Sequence, residues 1–460
     1  MDHDVLEEVF AYARTFLAEL PERRVTPSAG AEELRSALRG ALPNEPSDPR
    51  KVIAELIAAC DPGVLATTSG RFFGFVIGGA TPPALAADWL TSTWDQNAGL
   101  FVAAPAASVV EEVAGRWLID LFGLPEKTSF GFVTGGQMAN FTCLAAARQH
   151  LLKKAGWDVE ADGLQAGPLL RVVVGEERHA TIDRALRFLG LGASTVEVVQ
   201  ADEQGRMRAD DLLRVLESRD EPAIVCAQAG NVNSGSFDPI GEICDTARSS
   251  GAWVHVDGAF GLWAAASAEY RHLVDGVERA DSWATDAHKW LNVPYDSGLA
   301  FCAHPEAHSA AMGVHASYLI HTEEGAERDE MDWNPEFSRR ARGFPVYASM
   351  RALGRAGIMD LVERSCSHAR RFADALASAP GVEVLNEVVL NQVIVRFQDD
   401  DAATRAVIRR VQEDGTCWLS GSVWRGKAVM RISVSNWATS TEDVDASVKA
   451  ILAAARSVAG

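Results

Sequence analysis

The chain has 460 residues, a formal net charge of −20, 47% hydrophobic residues and 23% charged residues. That length leaves room for more than one hydrophobic core, and the composition is that of an ordinary globular protein, neither disordered nor fibrous. The acidic balance argues against nucleic-acid or anionic-membrane partners, which need clustered Lys and Arg.

The first residues, Met1-Asp2-His3-Asp4-Val5-Leu6-Glu7-Glu8, are acidic and lack the basic and apolar regions of a signal peptide. Seven cysteines, at 60, 143, 226, 244, 302, 366 and 417, form no CxxC pair. Neither a disulfide framework nor a metal site is therefore expected. With no uninterrupted apolar run of about 18 residues, a cytoplasmic protein is predicted.

Apolar residues at helical spacing over 5–20, followed by Pro21, Pro27, Pro43, Pro46 and Pro49 around a short helical pattern near 31–41, predict a helical arm over 1–70. From 71 to 342, helical patterns alternate with β-rich runs at 170–174, 195–199, 223–227 and 252–256. Such alternation predicts a large α/β domain with a mostly parallel sheet. After Gly343-Phe344-Pro345 a long helix near 346–379 is followed by strands near 382–386, 390–397 and 428–434 and by closing helices. This pattern predicts a small C-terminal α+β domain over 343–460.

The first chemical signal in the large domain is Thr134-Gly135-Gly136-Gln137-Met138-Ala139-Asn140, after the apolar run 130–133 and before a helical pattern. Glycines at a strand-to-helix turn let backbone N–H groups approach a phosphate, although a tight turn alone also asks for glycine. His179 lies just past the 170–174 run, where the loops of an α/β sheet face ligands. Its imidazole can stack on a cofactor ring and carry protons near neutral pH, or can simply bond nearby backbone. Asn231 and Asn233 can bond a ring oxygen or form Asx turns.

Asp257 ends the 252–256 run, and Lys289 follows in Thr285-Asp286-Ala287-His288-Lys289-Trp290. An acid there can pair with a protonated pyridine nitrogen, and a lysine can hold an aldehyde as a Schiff base. Singly, such residues are more commonly caps or solvated surface groups. In this order and context they point to pyridoxal 5'-phosphate (PLP). Asp286 and His288 flank the lysine, so one of them is a candidate phosphate or substrate contact. A carboxylate against phosphate is repelled unless protonated or bridged.

In these residues the chain resembles the group II PLP-dependent amino-acid decarboxylases, and within them the aromatic-L-amino-acid decarboxylases. The likeness runs from about Phe72 through Trp94, 135–140, His179, Phe237-Asp238-Pro239, Asp257 and His288-Lys289 to 430–436. It implies an α/β, PLP-dependent type I aminotransferase-like fold in a homodimer with active sites at the subunit interface. It also implies decarboxylation of an L-amino acid, aromatic by preference, to the amine and CO2.

Carried over residue by residue, the resemblance makes Lys289 the Schiff-base lysine, Asp257 the partner of the pyridine nitrogen and His179 the ring-stacking histidine. Gly135, Gly136 and Gln137 would hold the phosphate, and Asn231, Ala259, Asp286 and His288 complete the cofactor's surroundings. The chain departs from common family residues at Gln137, at Asp286, where several relatives have asparagine, and at Val232, where several have threonine.

Family decarboxylases commonly supply the Cα proton from a tyrosine on a mobile loop. The corresponding segment, roughly 320–342, is acidic and has no tyrosine between Tyr318 and Tyr347. That leaves His321 or another group as the proton donor, or opens oxidative deamination to an aldehyde. Transamination is the other alternative, with Arg431 read either as a substrate-carboxylate anchor or as a structural tie. A non-catalytic PLP-binding protein is disfavoured by the intact Lys289, Asp257 and His179. Phe72, Phe73, Phe75 and Trp94 read as a pocket lining or as ordinary core, and Asp95 as a partner for a cationic side chain.

Overall fold

The computed structural model describes residues 4–314 and 327–459. Seven strands form its main sheet: β1 (Ser129–Val133), β2 (Arg171–Gly175), β3 (Glu197–Val199), β4 (Ala223–Gln228), β5 (Trp253–Asp257), β6 (Ser282–Asp286) and β7 (Gly298–Cys302). Their order is β1-β7-β6-β5-β4-β2-β3. The pairs from β3 to β6 are parallel, whereas β7 is antiparallel to both β1 and β6. β1, β5, β6 and β7 are buried along their whole length, as expected of strands covered on both faces. The runs anticipated at 170–174, 195–199, 223–227 and 252–256 are β2 to β5, displaced by one or two residues at their ends.

A second, antiparallel sheet contains β8 (Val382–Val384), β9 (Gln392–Phe397), β10 (Ser420–Trp424) and β11 (Lys427–Ser433), in the order β10-β11-β9-β8. β10 is absent from the sequence expectation. Its Ser-Gly-Ser-Val-Trp run sits at a sheet edge and is only partly buried, so it lacks the apolar signal that marks the inner strands.

The helix Gly343–Ala377 joins the two sheets. Val346, Met350, Ile358 and Leu361 enter the main core, and Phe372 and Leu376 enter the core of the second sheet. At Gly354 the backbone leaves helical geometry with φ 59°, a value that costs glycine little and other residues more. The kink separates the two halves of this helix.

The N-terminal arm contains the helices Asp4–Glu19, Ala31–Leu38 and Pro49–Cys60, none with a fully buried residue. The last starts at Asp48, whose side chain accepts from the Arg50 N–H, with Pro49 in the first turn. Beyond the arm, Phe73 donates its N–H to the Trp418 carbonyl and packs edge-on against Phe372 at 4.9 Å. The segment around Phe73, placed at the start of the large domain by sequence, therefore packs on the second sheet. Among the described residues no helix is long and apolar enough to cross a membrane.

Candidate active site

The carboxyl ends of β1, β2, β4, β5 and β6 lie at one edge of the main sheet, where open α/β sheets bind ligands. Parallel register sets Gln228 beside Asp257 and Asp257 beside Ala284, so the chain leaving β5 and the chain leaving β6 emerge side by side. His179 follows β2, and the glycine turn follows β1. One edge thus gathers the residues singled out along the sequence.

Gly135 caps the helix Gly136–Lys154. A Cβ on Gly298 would come within 2.4 Å of the Gly135 backbone, and one on Gly136 within 2.8 Å of Asp286 Oδ2. The turn is therefore closed to side chains. The Gly136 N–H donates to Asp286 Oδ1 at 2.5 Å, placing a carboxylate at the positive end of this helix. Gln137 reaches only the Thr181 carbonyl, at 3.5 Å.

Asp286 also meets Lys289 Nζ at 2.7 Å and His288 Nε2 at 3.4 Å. Burial alone would raise the Asp286 pKa, but Lys289 and His288 beside it and the donated hydrogen bonds outweigh burial and hold the carboxyl below its ordinary value. His288 accepts the Ser297 N–H at Nδ1 and stacks on Tyr295 at 4.2 Å.

Asp257 is 5% exposed. Its Oδ2 accepts from Asn140 Nδ2 at 3.2 Å and its Oδ1 from the Ala259 N–H at 3.3 Å. Among the described residues no cation lies within ion-pair distance of it. Burial pushes its carboxyl up and outweighs the opposing pull of the His179 and Lys289 side chains and of the Asn140 hydrogen bond. A buried carboxylate without a cation is costly, and a protonated pyridine nitrogen would supply the missing charge. Asp257 therefore fits the cofactor.

His179 caps the helix Ala180–Phe188. Its Nδ1 accepts the Thr181 N–H at 3.3 Å and lies 2.8 Å from Thr181 Oγ1. Burial lowers its pKa, which favours the neutral ring at neutral pH. Asn231 is committed locally: its Oδ1 accepts from the N–H groups of Asn233 and Ser234, and its Nδ2 donates to the Glu177 carbonyl. The structure thus gives Asn231 its turn-forming role, with one amide hydrogen left over. Asn233 accepts from the Ser422 hydroxyl.

Phe72 and Phe73 are fully buried, Phe72 stacked on Trp418 at 5.1 Å, so both are core. Phe75 and Trp94 are about half exposed, resting on Trp418 and Phe344 respectively. Asp95 is exposed at a helix end, and His321 lies outside the described residues. Two groups unremarked in the sequence, Asn140 and Thr181, touch Asp257 and His179. The spacing from Gly136 to Asn140, one helical turn, puts Asn140 on the same face as the glycine turn.

The chain as a whole is similar to known proteins. The family profile described as "Pyridoxal-dependent decarboxylase conserved domain" matches residues 31–398. An aromatic-L-amino-acid decarboxylase of Bacillus atrophaeus is 27% identical over 92% of this chain and 89% of its own length. Tryptophan decarboxylase 1 of Oryza sativa subsp. japonica is 27% identical over 90% of this chain and 85% of its own. The solved structure of Oryza sativa TDC with PLP and tryptamine superposes with a TM-score of 0.92 at 23% identity, over 99% of this chain and 97% of that one; at that identity the likeness establishes the fold. With the greater part of its length matched by the family profile, this chain belongs to the pyridoxal-dependent decarboxylases, PLP-dependent carboxy-lyases.

Proposed function

We propose that the enzyme decarboxylates an aromatic L-amino acid to the corresponding amine, with Lys289 as the residue that holds PLP covalently. The observation that carries the site assignment is Asp257: a buried carboxylate with hydrogen-bond donors but no cation, at the strand edge where Lys289 and His179 converge. The aromatic preference is supported by the relatives named as aromatic-L-amino-acid and tryptophan decarboxylases.

Gly135, Gly136 and the start of the helix Gly136–Lys154 would receive the phosphate, with Gln137, Ala259 and His288 around it and Asn231 near the ring; Asp286, which accepts the Gly136 N–H, would have to yield that donor or be bridged to the phosphate. Bound there, PLP supplies an electron sink for the pair released when a Cα bond breaks. Asp257 would keep the ring nitrogen protonated by offering it a buried anion. His179 would cover the ring face, its lowered pKa favouring the neutral imidazole. Asp286, 2.7 Å from Lys289 Nζ, would hold that nitrogen in place.

Arg431, on β11, orients the substrate carboxylate. It is 8% exposed, its Nε has no partner, and no carboxylate of the described residues pairs with it. The Cα proton is assigned in this reading to His321, which lies outside the described residues.

The active unit is a homodimer in this reading. The helix Asp4–Glu19 leaves Leu6 and Phe10 exposed. A largely apolar groove of about 810 Å³ opens between it and residues that include Leu85, Trp89 and Trp437. Sedimentation of the holoenzyme should give twice the chain mass, and a monomer at micromolar concentration would remove this part.

The test of function is incubation with a panel of L-amino acids, with and without oxygen, quantifying CO2, amine, aldehyde, peroxide and keto acid. CO2 with stoichiometric amine from an aromatic substrate is expected. Aldehyde and peroxide appearing only with oxygen, or keto acid without CO2, would replace the proposal with oxidative deamination or transamination.

A further inference from the structure

Behind Asp257 and His179, buried groups form a hydrogen-bonded line with one direction. Trp253 Nε1 donates to Ser282 Oγ at 2.9 Å, and that oxygen lies 3.0 Å from His255 Nδ1. His255 Nε2 lies 2.9 Å from Asn140 Oδ1. Asn140 Nδ2 donates to Asp257 Oδ2 and to Thr181 Oγ1, both at 3.2 Å, and Thr181 Oγ1 lies 2.8 Å from His179 Nδ1. Ser282, His255 and Asn140 are fully buried. His255 and Asp257 are two apart on β5 and share a face of the sheet.

Every proton in this line has one position. Asn140 Oδ1 can only accept, so His255 Nε2 carries a hydrogen. Burial pushes the His255 pKa down to about 3, so the ring is neutral and its Nδ1 is bare. The Ser282 hydroxyl then donates to Nδ1 while accepting from Trp253. At the other end, Thr181 Oγ1 accepts from Asn140 and sends its single proton to His179 Nδ1. Rotated by half a turn, the Asn140 amide would press its oxygen on the Asp257 carboxylate and its NH2 on the His255 N–H. The His255 proton forbids that rotation.

We propose that His255 and Asn140 are positioning residues of the cofactor site: His255 locks the Asn140 amide so that it donates to Asp257 and, through Thr181, leaves His179 with Nδ1 bare and its proton on Nε2. This rests on the reading of Asp257 and His179 given above. Donation by Asn140 makes Asp257 a weaker base, so the proton it shares with the pyridine nitrogen stays on nitrogen. Without the lock, that proton shifts toward Asp257, and the ring is a poorer electron sink.

The test uses holoenzyme loaded with PLP labelled with 15N in the ring, in wild type and in His255→Leu, His255→Gln and Asp257→Asn. Glutamine can place an amide N–H where His255 Nε2–H lies. In wild type and His255→Gln the ring nitrogen should be protonated, with kcat/KM within about threefold of each other. In His255→Leu the 15N resonance should move toward the unprotonated value and kcat fall roughly 30-fold with KM changed less than about twofold. A wild-type resonance and kcat in folded His255→Leu would overturn the proposal, as would failure of glutamine to restore either. Asp257→Asn separates the layers. If it leaves the resonance unmoved, the reading of Asp257 fails and the proposal with it; if it alone moves the resonance, only the His255–Asn140 lock fails. Should His255→Leu not fold, histidine-labelled wild-type holoenzyme decides. Both His255 and His179 should show the Nε2-protonated tautomer, and Nδ1 protonation of either would refute the lock.

Discussion

Arg431 carries a nearly buried guanidinium whose Nε bonds to nothing and whose charge no carboxylate of the described residues balances. Burial lowers its pKa from 12.5 to about 10, which corresponds to about 3 kcal/mol against the charged form in the folded protein. Both folded and unfolded chains bind this proton at pH 7, so the cost is constant below about pH 10 and fades only above it. Arg431→Met keeps the aliphatic stem and deletes the charge. In urea unfolding of the PLP-loaded protein without substrate, the variant should gain about 1–3 kcal/mol. Its activity should move the other way. Loss of a desolvated carboxylate partner costs about 2–5 kcal/mol, a fall in kcat/KM of roughly 30-fold to several thousand-fold, carried mainly by KM. A variant destabilised by more than about 1 kcal/mol with KM unchanged would make Arg431 a structural tie and refute the anchor.

Three further outcomes follow from the same structure. Glu111 and Arg339 form a fully buried bidentate pair, with Arg339 also donating to the carbonyls of Ala98 and Phe132. Glu111→Gln strands the guanidinium and should lower the unfolding free energy by about 3–5 kcal/mol; a loss under about 1 kcal/mol would contradict the pairing. His308 is buried between Ser129 and the Trp333 carbonyl, and burial pushes its pKa down to about 3. The unfolded chain therefore binds a proton that the folded one does not between about pH 6.5 and pH 3, and the stabilisation present above that window is lost as pH falls. Wild type should lose about 2 kcal/mol more than His308→Gln between about pH 7 and pH 5; equal losses in urea titrations would show that the imidazole is solvated or charged. His321→Gln should raise the ratio of aldehyde to amine at least about tenfold in aerated assays, and an unchanged ratio would assign the Cα proton to another group.

Inner strands were legible because β2, β4 and β5 are short, nearly unbroken apolar runs, and the polar residues just past them fall at the ligand-facing edge. Asp257 and Lys289 could be brought together from sequence for that reason. β10 escaped because edge position spares it the apolar pattern, and the helix Pro49–Cys60 because prolines obscured its start. Phe73 is apolar in any setting, and nothing local indicates that it packs on the second sheet. Asn140 sits within a quoted motif, yet its role depends on how the helix Gly136–Lys154 crosses β5, which spacing along one element does not encode. Asn231 shows the converse: its residue type suited both a ring contact and an Asx turn, and its loop uses the amide oxygen and one amide hydrogen.

The central claim is that Lys289 is the covalent seat of PLP at the carboxyl edge of the main sheet. Borohydride reduction of the PLP-loaded protein, followed by proteolysis and mass spectrometry of the peptides, tests it directly. The peptide containing Lys289 should carry one reduced cofactor per chain, and Lys289→Ala should carry none. Label on another lysine of the wild-type chain, or bound PLP that reduction fails to fix to any lysine, would contradict the account.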